Sequence, residues 1–505
     1  MLSFLLCCDQ HVRRFCADRR GVTAVLFGLV VVPLMLFTGS AVDYARALSA
    51  KERMGRALDA AALAAASSPD LTEEQIEARV QAYFDANFPD GALGKPGSLN
   101  VVKGDKIITV TAQGSVPTTL MSIVGIKTMS VDAFTEVTYK QKHIELVMVL
   151  DNTGSMSWSG KIDALKTAAL SLTGILFDQV DNSANGEIRI GLVPFAAAVN
   201  VGADKLNSGW IDVNAQSSIA AEDFQAGTNV LTLYGQINNR SWGGCVRARP
   251  SPYDTTDAAP NAGVPDTLWV PYFAPDEPDF TSYSNRYASD SGYTPSGSYP
   301  YYNARQRYTG KYNNLSVSGS NGPEFNCPTA PVTALTAVRG QVETAINQMN
   351  AAGSTVIPTG LAWGWRVISP TAPYTEAVAY DNEDVIKAIV LLTDGANDVG
   401  GGMNNHNRSY YSAYGFAQSG HLGWTSGSQT TSVLNAKTET LCENIKDEGV
   451  RIYAITFQLS DGPIKNLMRD CATKTSMYYD SPSNEQLNTV FTEIAKDLSN
   501  LRLSK

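Results

Sequence analysis

The chain has 505 residues, of which 44% are hydrophobic and 17% charged, and a formal net charge of −10. That length exceeds one ordinary hydrophobic core, so two or more domains are expected, and the composition is that of a folded chain, not a disordered one. The acidic balance, with no long Lys/Arg stripe to offset it, excludes nucleic acid as a partner.

Residues 1–20 read as a short tail carrying Cys7, Cys8 and Cys16. Residues 21–42 follow as an uncharged run ended by Asp43 and Arg46. At helical rise such a run covers about 30 Å, the thickness of a bilayer's hydrocarbon core. Pro33 falls inside it, which membrane helices tolerate. A transmembrane helix is expected; a cleaved signal peptide, with Gly39-Ser40-Ala41 as its small-residue site, is the alternative. Basic residues are balanced on the two sides, so charge decides little about orientation. The cysteines decide more. Three precede the run and four (Cys245, Cys327, Cys442, Cys471) follow it, which places the tail on a reducing side and the remainder on an oxidising side.

Residues 43–66 read as a continuing helix with Leu48, Met54, Leu58, Ala61, Ala62 and Ala65 as its apolar stripe. Asp70 suggests the cap of a second helix ending near Asn87. Strands are expected over 99–112 around a Gly-Asp turn, a short helix over Thr118 to Ile123, and another strand over Met129 to Tyr139. Residues 43–140 thus form a helix and a small α+β spacer without evident chemistry.

From residue 141 to 505 strands alternate with helices, the signature of an α/β domain with a doubly wound, mostly parallel sheet. The strands are Glu145 to Leu150, Ile188 to Phe195, Val385 to Leu392 and Val450 to Phe457. Helices are expected over Lys161 to Leu176, Thr333 to Met349, Gly360 to Val367, Leu441 to Glu448 and Asn484 to Leu501. Two stretches, about 200–330 and 400–430, are rich in Tyr, Ser, Asn and Gly and lack periodicity. They read as loop insertions whose composition suits adaptable binding surfaces.

Asp151, Thr153 and Ser155 directly follow the first apolar strand, and alternation lets a tight loop turn all three oxygens toward one point. Asp394 follows the strand Val385 to Leu392, and Thr355 lies just ahead of a helix. Ligands gather at the carboxyl ends of parallel strands. Carboxylates with hydroxyls make a hard, all-oxygen set suited to Mg²⁺ first, with Mn²⁺ or Ca²⁺ as alternatives.

The run DNTGSM, the threonine of GSTVIPTG and the aspartate of LLTDGAND resemble, in order, the three motifs of von Willebrand factor A (vWA) domains. The resemblance implies a Rossmann-like vWA fold and a metal-ion-dependent adhesion site on Asp151, Thr153, Ser155, Thr355 and Asp394, where an acidic group of a partner completes the coordination. Thr153 stands where many members have serine; both offer a hydroxyl.

The amino-terminal sequence from Arg19 to Ala66 is similar to that of TadG-type proteins of bacterial Tad (Flp) pilus assembly. That likeness implies a single-pass inner-membrane protein whose C-terminal region lies in the periplasm and meets other pilus-assembly components. The glutamate expected early in a pilin-like helix is missing, which argues against incorporation as a pilin subunit.

Four cysteines allow three pairings. Cys245 with Cys327 and Cys442 with Cys471 are preferred because each joins neighbouring parts of the sequence. No nucleophile elbow, His-Glu-x-x-His or P-loop occurs, so a metal-dependent hydrolase ranks last and a non-enzymatic role is expected. A membrane-tethered vWA adhesin binding extracellular or envelope ligands is the alternative to pilus assembly.

Overall fold

The computed structural model describes residues 22–66, 72–88, 95–104, 107–138, 142–178, 188–279, 284–294, 301–400, 403–423 and 429–503. The cytoplasmic tail expected at 1–20 lies outside them, as does Asp70. The chain divides between residues 141 and 142 into two compact units.

In the first unit, α1 (Val22–Ala66) is one helix of 45 residues. Its first half is apolar and uncovered: Leu26, Phe27, Leu29, Val30, Met35 and Phe37 are each more than half exposed. It is long and apolar enough to cross a membrane. Further along, Ala47, Ala50, Met54, Leu58, Ala61 and Ala65 recur at helical spacing and are buried. They pack on α2 (Glu73–Asn87) and on a three-stranded antiparallel sheet of β1 (Lys95–Gly104), β2 (Ile107–Pro117) and β3 (Thr128–Thr138). Leu48, expected on that stripe, instead faces outward at 47% exposure, because Ala47 and Ala50 take the inward positions. The cap of α2 is Thr72, which accepts from Gln75 N while the Gln75 side chain accepts from Thr72 N. Only a 3₁₀ turn, Met121–Val124, stands where a short helix over Thr118 to Ile123 was expected.

The second unit is built on an eight-stranded sheet. Its parallel part runs β11 (Tyr478–Ser481), β10 (Arg451–Phe457), β9 (Val385–Thr393), β4 (His143–Asp151), β5 (Ile188–Phe195). β5 then pairs antiparallel with β6 (Val199–Asn200) and β8 (Thr333–Thr336), and β6 with β7 (Cys245–Val246). The parallel strands are almost continuous buried apolar runs, as expected for a sheet covered on both faces. The chain leaves β4 in one direction through α3 (Lys161–Phe177) to β5. It later returns past β4 through α7 (Ile357–Ile368) to β9 and onward, so the order reverses between β4 and β9. This is the expected doubly wound, mostly parallel arrangement.

Two helical expectations are corrected. Thr333–Thr336 is a strand, because the edge of β5 offers its backbone groups partners. The helix after it, α6, begins only at Arg339 and ends at Gln348. The helix α8 starts at Thr430, well before Leu441, and runs to Asp447. Leu434, Thr438, Leu441 and Ile445 form its buried stripe in an otherwise polar sequence.

The insertion over 200–330 is folded in its described parts, with short helices α4 (Val230–Gln236) and α5 (Tyr301–Arg307). Its Trp210, Phe224, Trp269, Phe273 and Tyr312 are buried and join the main core. The Arg249 and Arg366 guanidiniums lie 4.5 and 5.2 Å from the Trp269 ring, and Trp269 packs at 4.9 Å on Trp363 of α7. Disulfides join Cys245 to Cys327 and Cys442 to Cys471, the latter linking α8 to α9 (Gly462–Cys471). The first closes a loop whose ends are 82 residues apart. A loop of that length removes roughly 4 kcal/mol of unfolded-chain freedom in the chain-entropy model. The chain closes with α10 (Asn484–Leu503).

Candidate metal centre

β4 and β9 are parallel neighbours with Leu150 opposite Leu392, so Asp151 and the Thr393-Asp394 pair emerge together at the same sheet edge. This is the switch point of the sheet, where neighbouring loops diverge and leave a crevice. Three loops are stitched across it. Gly154 N donates to Gly353 O at 2.9 Å, and Ala352 N to Asn152 O at 2.7 Å. Thr355 and Asp398 exchange both backbone hydrogen bonds, at 3.1 and 2.9 Å. Gly353 has φ +87°, a turn that favours glycine.

The position of Thr355 is fixed by α7 behind it. A Cβ on Gly360 would stand 2.4 Å from Phe195 Cγ, and one on Gly364 would stand 2.3 Å from Val149 Cγ2. These glycines let the helix lie directly on β4 and β5.

Asp151 is fully buried. Its Oδ1 accepts from Thr153 N at 2.8 Å, and its Oδ2 from Thr393 Oγ1 at 2.8 Å and Asp394 N at 3.4 Å. Asp394 Oδ1 accepts from Ser155 Oγ at 2.6 Å, and Ser155 Oγ shares a hydrogen bond with Thr153 Oγ1 at 3.0 Å. Thr355 Oγ1 borders the same place: a Cβ on Gly395 would come within 3.6 Å of it. The fold therefore gathers all five residues singled out in the sequence. Burial, and then the Asp394 carboxylate nearby, raise the Asp151 carboxyl above its ordinary value.

Two participants, Lys161 and Thr393, were missed in the sequence, and an exposed ring lies close by in the chain. Lys161, at the start of α3, places Nζ 2.8 Å from Asp394 Oδ2. Thr393 holds Asp151. Trp158, three residues past Ser155, is 68% exposed at the rim. A strand-end Asp-x-Thr-x-Ser signals ligation, but nothing in its spacing signals which later cation will face it. A cleft of about 530 Å³ opens beside the Thr355 loop, lined by Asn200, Glu324, Asn326, Thr329 and Gly353 among others.

The hydrogen-bonded carboxylates and hydroxyls of Asp151, Thr153, Ser155 and Asp394, with the Thr355 hydroxyl beside them, form an oxygen-only donor set, which fits a hard divalent cation. The ammonium of Lys161 already balances one of the two charges. Among the described residues no group of three or more His, Cys, Asp or Glu forms a competing centre.

Residues 21–68 match the family model described as "Putative Flp pilus-assembly TadE/G-like". The chain carries a TadE/G-like amino-terminal segment. That TadE/G-like segment coincides with α1, both its exposed apolar half and its packed half. A comparison with curated proteins returned no match. Among solved structures, the chain is similar to the pilus adhesin SpaC from Lactobacillus rhamnosus GG, at 13% identity and TM-score 0.34 over 81% of this chain and 35% of SpaC. It thus spans about a third of SpaC's length. It is also similar to the vWF domain of the type V pili tip protein Mfa5 from Porphyromonas gingivalis, at 10% identity and TM-score 0.34 over 72% of this chain and 97% of that one. The adhesive tip pilin GBS104 from Group B Streptococcus agalactiae gives 11% identity and TM-score 0.34 over 71% and 100%.

Proposed function

We propose that this is a pilus-associated protein of the Tad/Flp assembly system, anchored by α1 as a single pass in a bacterial inner membrane. Its second unit lies in the periplasm and binds protein partners, other pilus-assembly components, through a divalent-cation site. Mg²⁺ is the first choice of ion, with Mn²⁺ or Ca²⁺ as alternatives. Asp151, Thr153, Ser155, Thr355 and Asp394 would hold the ion, which supplies a positive charge able to take an acidic group from a partner.

The observation that carries this reading is the pairing of the Asp151 and Asp394 carboxylates in one hydroxyl-lined crevice, on a chain whose first helix is TadE/G-like. Two disulfides in the second unit fit an oxidising compartment. Trp158 at the rim is the kind of exposed aromatic that anchors a protein interface. The roles assigned are binding and positioning; no step of covalent chemistry is involved.

The test has two parts. Calorimetric titration of the full chain in detergent with MgCl₂ or MnCl₂ should give binding that Asp151→Ala abolishes. Cells lacking the protein should lose surface pili, and the Asp151→Ala chain should fail to restore them. Absence of ion binding removes the metal site. Full piliation without the protein removes the assembly role and leaves a membrane-tethered adhesin as the surviving reading.

A further inference from the structure

We infer that the turn joining β2 to β3, residues 119–127, is a second membrane contact, seated in the interfacial layer of the bilayer beside α1. The inference rests on the reading of α1 as a membrane anchor.

The turn is fixed to the point where the uncharged run ends. Asp43, the first charged residue after residues 21–42, is buried and accepts the amides of Thr119, Leu120 and Met121 at 2.9, 2.8 and 2.8 Å. Leu120 reaches one helical turn further toward the apolar run: a Cβ on Gly39 would stand 2.6 Å from Leu120 Cβ. The height of this turn along α1 is therefore set by hydrogen bonds and packing within one compact unit.

What the turn presents there is apolar. Leu120, Ile123, Val124 and Ile126 are 39, 74, 53 and 44% exposed. The 3₁₀ turn Met121–Val124 and the positive φ of Gly125, +91°, close the chain so that these side chains point away from the unit's core. They continue the uncovered apolar surface of α1, where Met35 and Phe37 are 65 and 80% exposed. No acidic residue occurs from Pro117 to Val131. Two cations flank the tip: Arg46, whose guanidinium donates to Thr119 Oγ1, and exposed Lys127. An apolar tip with basic residues at its collar matches the headgroup boundary of an anionic bilayer, where aliphatic groups enter and ammonium and guanidinium groups stay with phosphate. Continuity with α1 is what selects lipid over a protein as the occupant.

The experiment uses the full chain with Cys7, Cys8 and Cys16 changed to serine, in liposomes of phosphatidylethanolamine and phosphatidylglycerol. A nitroxide is attached in turn at Ile123→Cys, at Phe27→Cys within the apolar run, and at Val102→Cys on β1 as an aqueous reference. Collision with dissolved oxygen is compared with collision with a water-soluble nickel chelate. The expected result is an oxygen-to-nickel ratio at least about threefold higher at residues 27 and 123 than at 102, since oxygen partitions into lipid and the chelate stays in water. A water-like ratio at 123 with a lipid-like one at 27 overturns the inference and leaves the anchor intact. A water-like ratio at both removes the anchor reading itself. Shielding of 123 from both reagents also overturns it, because the tip would then be covered by protein.

Discussion

Lys161 Nζ lies 2.8 Å from Asp394 Oδ2, so a lysine ammonium neutralises one of the two carboxylates at the edge of the parallel sheet. The pair joins α3 to the loop after β9, and its lysine side chain is only 12% exposed.

Replacing that ammonium by a neutral stem of similar length changes the charge that an incoming divalent ion meets. Lys161→Met is expected to tighten Mg²⁺ binding by about tenfold, equivalent to about 1.4 kcal/mol. Calorimetric titration of the full chain checks this. Weaker binding in the variant would mean that Lys161 holds Asp394 in place more than it competes with the ion.

His421 should cost the second unit stability as the medium becomes mildly acidic. His421 is buried and its value falls to about 3, through burial and then the Arg247 guanidinium. Arg247 Nη2 lies 3.3 Å from Nδ1, with Glu222 Oε2 at 3.5 Å as the nearest opposing charge, and Nε2 faces Arg249 O at 3.4 Å. The ring is held neutral with Nδ1 accepting. In the unfolded chain a histidine takes up its proton near 6.5, so the unfolded state gains first as pH drops. The contribution of such a ring therefore falls from about pH 6.5 downward by up to roughly 1.4 kcal/mol per unit, while the Glu222 and Asp151 carboxyls, raised by burial to about 7 and about 6, act in the opposite direction over the same range. His406, lowered to about 4 by burial and then by Lys311, adds to the slope over its own narrower window. Thermal unfolding of the parent and His421→Gln chains between about pH 7.5 and about pH 5 should show the parent losing more stability, relative to the variant, as the pH falls. Parallel curves for the two chains would assign the slope to other groups.

Gly364 has no room for a side chain, since a Cβ there meets Val149 at 2.3 Å. Gly364→Val should destabilise the second unit by about 1–3 kcal/mol through overpacking of α7 on β4. Gly340→Ala on α6, where open space surrounds the position, should be neutral or slightly stabilising. Denaturant unfolding of the two variants beside the parent chain makes the comparison. Equal stability of Gly364→Val and the parent would mean that α7 does not rest on β4 this closely.

Much of the fold was legible because parallel strands buried on both faces announce themselves as unbroken apolar runs, as at Glu145 to Leu150 and Val385 to Leu392. The five residues proposed as oxygen donors stand out for a related reason: four follow such strands, and Thr355 precedes the helix α7. Contacts set by tertiary packing were not. Lys161 meets Asp394 across 233 positions of sequence, and nothing periodic links them. The insertion reads as loop in the sequence because its order comes from rings such as Trp269 against Trp363, which obey neither a helical nor a strand spacing. Thr333–Thr336 became a strand only because β5 left an edge beside it.

From Leu34 to Ala66 the first helix contains no proline, and its packed half is continuous with its uncovered apolar half. At 1.5 Å per residue that is a shaft of about 50 Å. Gly39-Ser40 within it is a glycine-serine pair of the kind where helices bend, and the first unit splints the helix there: Leu120 packs against Gly39, and Asp43 accepts the amides of Thr119, Leu120 and Met121. A tilt imposed on the uncovered half of the helix is thus passed to the small amino-terminal unit through this splinted pair instead of being lost at a bend.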